Sequence, residues 1–249
     1  MMSPSEERLA QGLAAIPALP PQDDPGRSLV QLSRYLEDLY RSNPVFGLIS
    51  QEDAADTLVL ATRHLLDSAA GVPRVWRILE RTGSRVVCDL GSGAGLPGIP
   101  LAILLEGYLD RCCLVERRER RVRFLQGALA PLGVSSLEVL QTDAERPCGE
   151  ARALFQSDPP PVVVFRAYQQ TTPGTLKGLA KVFPAGTTVV AWKGRLESAH
   201  QDARVIEAFP GTVLEEVLAV DVPFLERERS LLVFRIDPDS PGSAPTPGD

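Results

Sequence analysis

Apolar positions along this chain change their period once, near residue 85. Before it, Leu29, Leu32, Leu36 and Leu39 recur at helical spacing. That stripe predicts a helix ended by Asn43-Pro44, because the residue before proline avoids the α region. A second helix is predicted from about Asp53 to Ala69, with Leu58, Leu65 and Leu66 inward. A third follows Pro73 and uses Val75, Trp76 and Leu79. After residue 85 the apolar runs are short: Arg85–Leu90, Cys112–Glu116, Leu137–Gln141, Val162–Arg166 and Thr187–Trp192. Helical patterns over Pro97–Glu106, Arg118–Leu132 and Thr175–Phe183 lie between them. Strand alternating with helix predicts a parallel sheet covered on both faces. A helix over Leu196–Ala208 precedes two last runs, Val213–Val222 and Ser230–Ile236. No helix separates these two, which predicts a terminal antiparallel pair on a mostly parallel, seven-stranded sheet. The expected organisation is a flexible segment over 1–26, a helical cap over 27–84, an α/β domain over 85–236 and a disordered tail over 237–249.

Composition narrows the class. Of 249 residues, 44% are hydrophobic and 23% charged, enough apolar material for a globular core. No apolar run is long enough to span a bilayer. Leu13–Pro21 is apolar but interrupted by three prolines, so no signal peptide is expected. Cys88, Cys112, Cys113 and Cys148 form no Cys-x-x-Cys pair, and His64 and His200 are the only histidines. A reducing, cytoplasmic setting without a structural metal is expected, as is a monomer. The net charge of −6 argues against a basic protein surface but not against a local patch. Arg111, Arg117, Arg118, Arg120, Arg121 and Arg123 crowd one segment, against only Glu116 and Glu119. The segment reads either as a nucleic-acid patch or as a solvated helix face with a Glu116–Arg120 pair at i,i+4.

The most informative stretch is Val86-Val87-Cys88-Asp89-Leu90-Gly91-Ser92-Gly93-Ala94-Gly95-Leu96. An apolar strand ends in an acid and runs into three alternating glycines, a turn that can bring backbone close to a ligand. Gly93-x-Gly95-x-x-Gly98 formally matches a dinucleotide fingerprint. Such a site seats pyrophosphate directly on amides at a helix start. Asp89, one residue before the loop, would repel that group and suits the ammonium and sulfonium of S-adenosylmethionine. Pro97 is placed to start the next helix. Glu116, ending the second strand, can accept both ribose hydroxyls of either ligand. Thr142-Asp143-Ala144-Glu145 follows the third strand, where it could meet an adenine edge. The plainer roles are a helix-face ion pair for Glu116 and an N-cap for Asp143. His64 reads either as a contact to cofactor or RNA or as a packed, hydrogen-bonded histidine, and Asp67-Ser68 as either a support for the glycine loop or a helix end.

These stretches resemble the RsmG family, or glucose-inhibited division protein B, bacterial 16S ribosomal RNA guanine-N7 methyltransferases. The resemblance rests on Asn43-Pro44-Val45-Phe46-Gly47-Leu48-Ile49-Ser50 and Arg63-His64-Leu65-Leu66-Asp67-Ser68. It continues through Asp89 to Ala102 with its Leu-Pro-Gly-Ile-Pro continuation, then Arg120-Arg121-Val122-Arg123-Phe124-Leu125, Arg166-Ala167, Trp192-Lys193-Gly194 and Glu228-Arg229. Departures are Arg120 where the family usually has lysine, Phe165 where it has serine, and Asp143 where it commonly has arginine. The resemblance implies a Rossmann-like class I methyltransferase fold and S-adenosylmethionine as methyl donor. It implies 16S RNA or the small ribosomal subunit as partner, and no membrane. The expected cofactor-binding residues are Asp89, Gly91, Ser92, Gly93, Gly95, Leu96, Glu116, Ala144, Glu145 and Arg166, the last at the pocket rim facing the RNA. Guanine N7 carries a free lone pair, so no acid or base is expected. Arg166, Lys193 and Arg229 are assigned to positioning RNA; the plainer role for each is a surface ion pair. The alternatives are an NAD-dependent oxidoreductase and a methyltransferase acting on a protein or small molecule.

Overall fold

The computed structural model describes residues 2–166, 170–237 and 239. Ala167 of the Arg166-Ala167 motif and nearly all of the expected tail lie outside the described residues. The chain runs α1 (Pro4–Ala15), α2 (Pro25–Phe46), α3 (Thr57–Leu60), a π-helical turn (Ala61–Leu66), α4 (Asp67–Ala69) and α5 (Val72–Thr82). Then follow β1 (Val86–Leu90), α6 (Gly98–Leu104), β2 (Arg111–Glu116), α7 (Glu119–Leu129), β3 (Leu137–Gln141), α8 (Gly149–Phe155), β4 (Val162–Arg166) and α9 (Pro173–Val182). The chain closes with β5 (Thr188–Lys193), α10 (Leu196–Ala208), β6 (Thr212–Ala219) and β7 (Ser230–Ile236). The seven strands lie in the order β3-β2-β1-β4-β5-β7-β6, with only β7 antiparallel to its neighbours.

Side chains alternate between the two faces of a sheet, and that parity places the chemistry. Val87, Cys112, Leu114, Val162, Val164, Val190 and Trp192 face α1, α2, α5, α6 and α7. Cys88, Cys113, Val163, Phe165, Val189 and Ala191 face α8, α9 and α10. By the same alternation Asp89, Glu116 and Arg166 point towards the N-terminal helices, whereas Lys193 points towards α10. Helices on both faces bury the central strands fully.

Three local expectations give way. Residues 4–15, expected to be loose, form a helix: Ser3 Oγ accepts from the Glu6 amide at 3.2 Å, and Glu6 accepts from the Ser3 amide at 2.6 Å. Leu9 is fully buried, and Gly12 meets Leu66 so closely that a Cβ would lie 2.4 Å from its Cδ1. Secondly, α2 continues through Pro44 to Phe46. Its end is closed by Gly47 at φ 62°, whose amide donates to Asn43 O, and by Asn43 Oδ1, which accepts from the Leu48 and Ile49 amides. Those bonds replace the one that proline removes. Thirdly, residues 149–155 form a short helix with Leu154 and Phe155 inward, which the apolar pattern did not announce.

Candidate functional site

The strand order reverses between β1 and β4, and ligands of open α/β sheets bind beyond the carboxyl ends of strands at such a point. Two clefts flank it. One, of about 250 Å³, opens beyond β1, β2 and β3 and is lined by Gly91, Glu116, Arg121, Asp143, Ala144 and Glu145 among others. The other, of about 440 Å³, opens beyond β4 and β5 under the N-terminal helices. Its wall includes His64, Asp67, Arg166, Lys193, Arg227 and Arg229.

The glycine loop is held from below. Gly91, Gly93 and Gly95 all have positive φ, at 67°, 57° and 91°, a conformation that L side chains rarely take. The Gly91 and Ser92 amides donate to Val115 O, the Gly95 and Leu96 amides to Ser92 O, and the Gly93 amide to Glu116 Oε2. Asp89 Oδ2 accepts from the Gly98 amide at 3.0 Å, and Ser92 Oγ donates to Asp89 O. This corrects the expected role of Asp89. It is fully buried, lies outside the wall of either cleft, and binds the amide that begins α6. Burial pushes its carboxyl up to about 7. The dinucleotide alternative fails for the same reason: the amides that would cradle a pyrophosphate already have partners inside the protein.

Glu116 is buried at the lip of the first cleft. Its oxygens accept from the amides of Gly93 and Arg118, and Arg121 Nη1 lies 3.6 Å from Oε2. A carboxylate has about four acceptor directions, so capacity remains for a diol. The expected Glu116–Arg120 pair is absent. Glu116 ends a strand rather than starting a helix, and Arg120 instead donates to Val45 O. Arg111 pairs with Glu138 and Glu150, and Arg123 with Glu119, so part of the arginine segment is neutralised locally. Asp143 Oδ1 accepts from the Glu145 amide, shaping the turn after β3.

The second cleft is organised by Asp67, which sequence reasoning treated only as a loop support or helix end. Asp67 Oδ2 accepts from Arg166 Nη1 and Oδ1 from Arg229 Nε, both at 3.0 Å, while its carbonyl accepts from Trp192 Nε1. The π-helical turn brings His64 alongside, as such turns often do at functional sites. Arg166 Nη2 lies 2.7 Å from His64 Nδ1. A guanidinium can only donate, so Nδ1 is the acceptor and the proton of the neutral ring sits on Nε2. Burial, then the charge of Arg166, depress the imidazole to about 4. Its Nε2 lies 3.4 Å from Asp53 Oδ2 and forms no hydrogen bond. Arg166 thus stands in the second cleft rather than in the wall of the first. Lys193, on the opposite sheet face, pairs with Asp202 at 2.6 Å and donates to Thr171 Oγ1. Among the described residues no group of His, Cys, Asp and Glu could hold a metal ion.

Tyr35 is the other residue that the sequence hid, inside the leucine stripe of α2. It is fully buried, and its hydroxyl donates to Ala94 O at 2.6 Å, tying α2 to the glycine loop. Tyr35→Phe leaves that carbonyl unpaired and is expected to lower unfolding free energy by about 1–3 kcal/mol in urea titrations.

Comparison with known proteins agrees with this geometry. The profile of the GidB family, described as rRNA small subunit methyltransferase G, matches residues 28–231. A ribosomal RNA small subunit methyltransferase G from Treponema pallidum is 32% identical over 243 residues, covering 94% of this chain and 96% of the relative. The Nitrosomonas europaea protein of that name is 30% identical over 235 residues, covering 94% and 98%. Among solved structures, the O-methyltransferase TomG from Streptomyces achromogenes, in complex with SAM, superimposes with a TM-score of 0.53 at 12% identity, covering 95% of this chain and all of that one. An O-methyltransferase from Bacillus cereus in complex with SAH gives 0.52 at 13% identity, covering 94% and 100%. These two show a shared fold, the Rossmann-like class I methyltransferase architecture. From the profile match and the full-length relatives, the chain belongs to the rRNA small subunit methyltransferase G family.

Proposed function

We propose that this protein transfers a methyl group from S-adenosylmethionine to N7 of a guanine in 16S ribosomal RNA. The observation that carries the reading is the division of labour across the β1/β4 switch point. An acid-lipped cleft lies on one side and an arginine-walled cleft on the other, in a chain of this family. The first cleft fits the methyl donor. Glu116 offers a buried carboxylate for the ribose diol, and Ala144 and Glu145 offer backbone for the adenine edge. Gly91 brings the loop backbone to the cleft wall. Asp89 supports that loop from beneath, through the Gly98 amide. The donor, when bound, supplies an electrophilic methyl on a sulfonium.

The residues of the chain then have one task, alignment. N7 needs no base because its lone pair is already free. Accordingly His64, the one histidine in the cleft, is held neutral by its surroundings. Holding N7, methyl carbon and sulfur in line can supply roughly 7–11 kcal/mol. Positive charge develops on the purine as the methyl transfers. Asp67 between Arg166 and Arg229 leaves that trio one net positive charge, Lys193 is matched by Asp202 and Arg63 by Asp53, and Arg227 adds one more. The cleft can therefore hold phosphate or O6 without strongly opposing the ring cation.

The test uses tritiated methyl donor with 16S RNA, free and in small subunits, from a strain lacking such an enzyme. Label recovered as N7-methylguanosine is the expected result. Label in protein alone, or on another base atom, overturns the reading.

A further inference from the structure

The turn before β7 carries an unusual residue. Leu225 N donates to Val222 O at 3.0 Å, closing a turn with Pro223 second and Phe224 third. Phe224 has φ 66°, which at that turn position favours glycine and is a rare conformation for an aromatic residue. Its side chain is nevertheless 49% exposed, so no burial of the ring explains the backbone. Strain of this kind gathers at binding and catalytic sites. The Arg8 guanidinium lies 4.4 Å from the ring centroid and covers part of the ring. The turn borders a groove of about 430 Å³ walled by Arg8, Arg63, Arg227 and Glu226. Arg63 and Arg227 also line the arginine-walled cleft, so the groove is its continuation. Arg63 is paired with Asp53 and Glu52, whereas no ion pair is seen at Arg8 or Arg227 among the described residues.

We propose that Phe224 is a stacking platform for an unpaired base of the RNA beside the methylated guanine, with Arg8 and Arg227 on the flanking phosphates. This rests on the reading of the protein as an RNA methyltransferase. Aromatic side chains recognise single-stranded RNA by stacking on splayed bases, and guanidinium groups supply the backbone charge. A ring held out by its backbone, sandwiched on one side by an arginine, loses little freedom when a base adds to the other. With Arg63 already paired, Arg8 and Arg227 against Glu226 still give the groove the sign that a phosphate chain needs.

Phe224→Gly separates this role from a structural one. Glycine relieves the positive φ, so the variant melts no lower than the wild type. Its KM for 16S RNA is expected to rise between about fivefold and 150-fold, the range of one lost base stack, with kcat less affected. Phe224→Tyr restores the wild-type KM. Phe224→Trp adds an indole whose fluorescence is quenched by 16S RNA, beyond any change shown by Trp76 and Trp192 in the wild type. If the wild type methylates 16S RNA and the glycine variant keeps its KM, the platform is refuted while the function stands. If the wild type transfers no methyl to RNA, the function itself fails.

Discussion

Replacing Asp67 by alanine is expected to lower the unfolding free energy by about 3–5 kcal/mol, the usual loss when one member of a buried ionic cluster is removed. Its side chain is 5% exposed, and those of Arg166 and Arg229 are 18% and 22% exposed, so solvent screens the cluster little. Burial raises the Asp67 carboxyl even against two guanidiniums, which means that desolvation outweighs their attraction. The charged triad is therefore weak as a source of stability. Breaking it is costly all the same, because two cations lose their only shared counterion. Equilibrium urea unfolding measures the loss, and a value under about 1 kcal/mol, the level of a surface pair, would refute the cluster's role. Asp67→Asn keeps one acceptor oxygen and is expected to fall between. Methyl transfer to RNA should drop in both variants, because Arg166 and Arg229 lose the atom that fixes their spacing. A double-mutant cycle with Arg229→Ala isolates the pair, which single substitutions cannot do.

That cluster was invisible in the chain for a plain reason. Asp67 meets partners 99 and 162 residues away, and no local spacing encodes such contacts. Local signals were legible. The seven apolar runs became the seven strands, and Leu196–Ala208 became a helix with those bounds. The tight glycine turn was also readable, because alternating glycines leave the backbone few other uses. What the residues could not reveal was direction. Asp89 was visible as an acid before the loop, but only the alternation of β1 sends its carboxylate into the helix-covered face, beneath the loop instead of towards a ligand. The same alternation parts Arg166 from Lys193, which look equivalent as cations ending neighbouring strands. Composition misled at residues 4–15. Proline at a helix start is favourable, and the single leucine and glycine that dock this helix leave too faint a stripe to read.

Asp89 and His64 should impose opposite pH dependences that nearly cancel in the wild type. Burial raises Asp89 from 3.8 to about 7 and lowers His64 from 6.5 to about 4. Between about pH 4 and 6.5 the unfolded chain carries one proton on this pair, on the histidine. The folded protein also carries one, on the aspartate. With equal protons bound, stability has no slope from the pair. Asp67, raised in the same sense as Asp89, also makes stability decline with rising pH. Asp89→Asn removes the folded-state proton, so the unfolded state then binds more. Stability should rise by about 1.6 kcal/mol from pH 5 to 6.5, less the Asp67 contribution. His64→Gln keeps an acceptor for Arg166 but removes the unfolded-state proton, so stability should fall by about 2–3 kcal/mol from pH 5 to 7. Asp53 and Glu138, lowered by their arginines, lose their contributions only in more acid solution and do not disturb this window. Urea titrations of the three proteins across that range decide the matter: diverging slopes support the opposed burial of the two groups, and three parallel curves would rule it out.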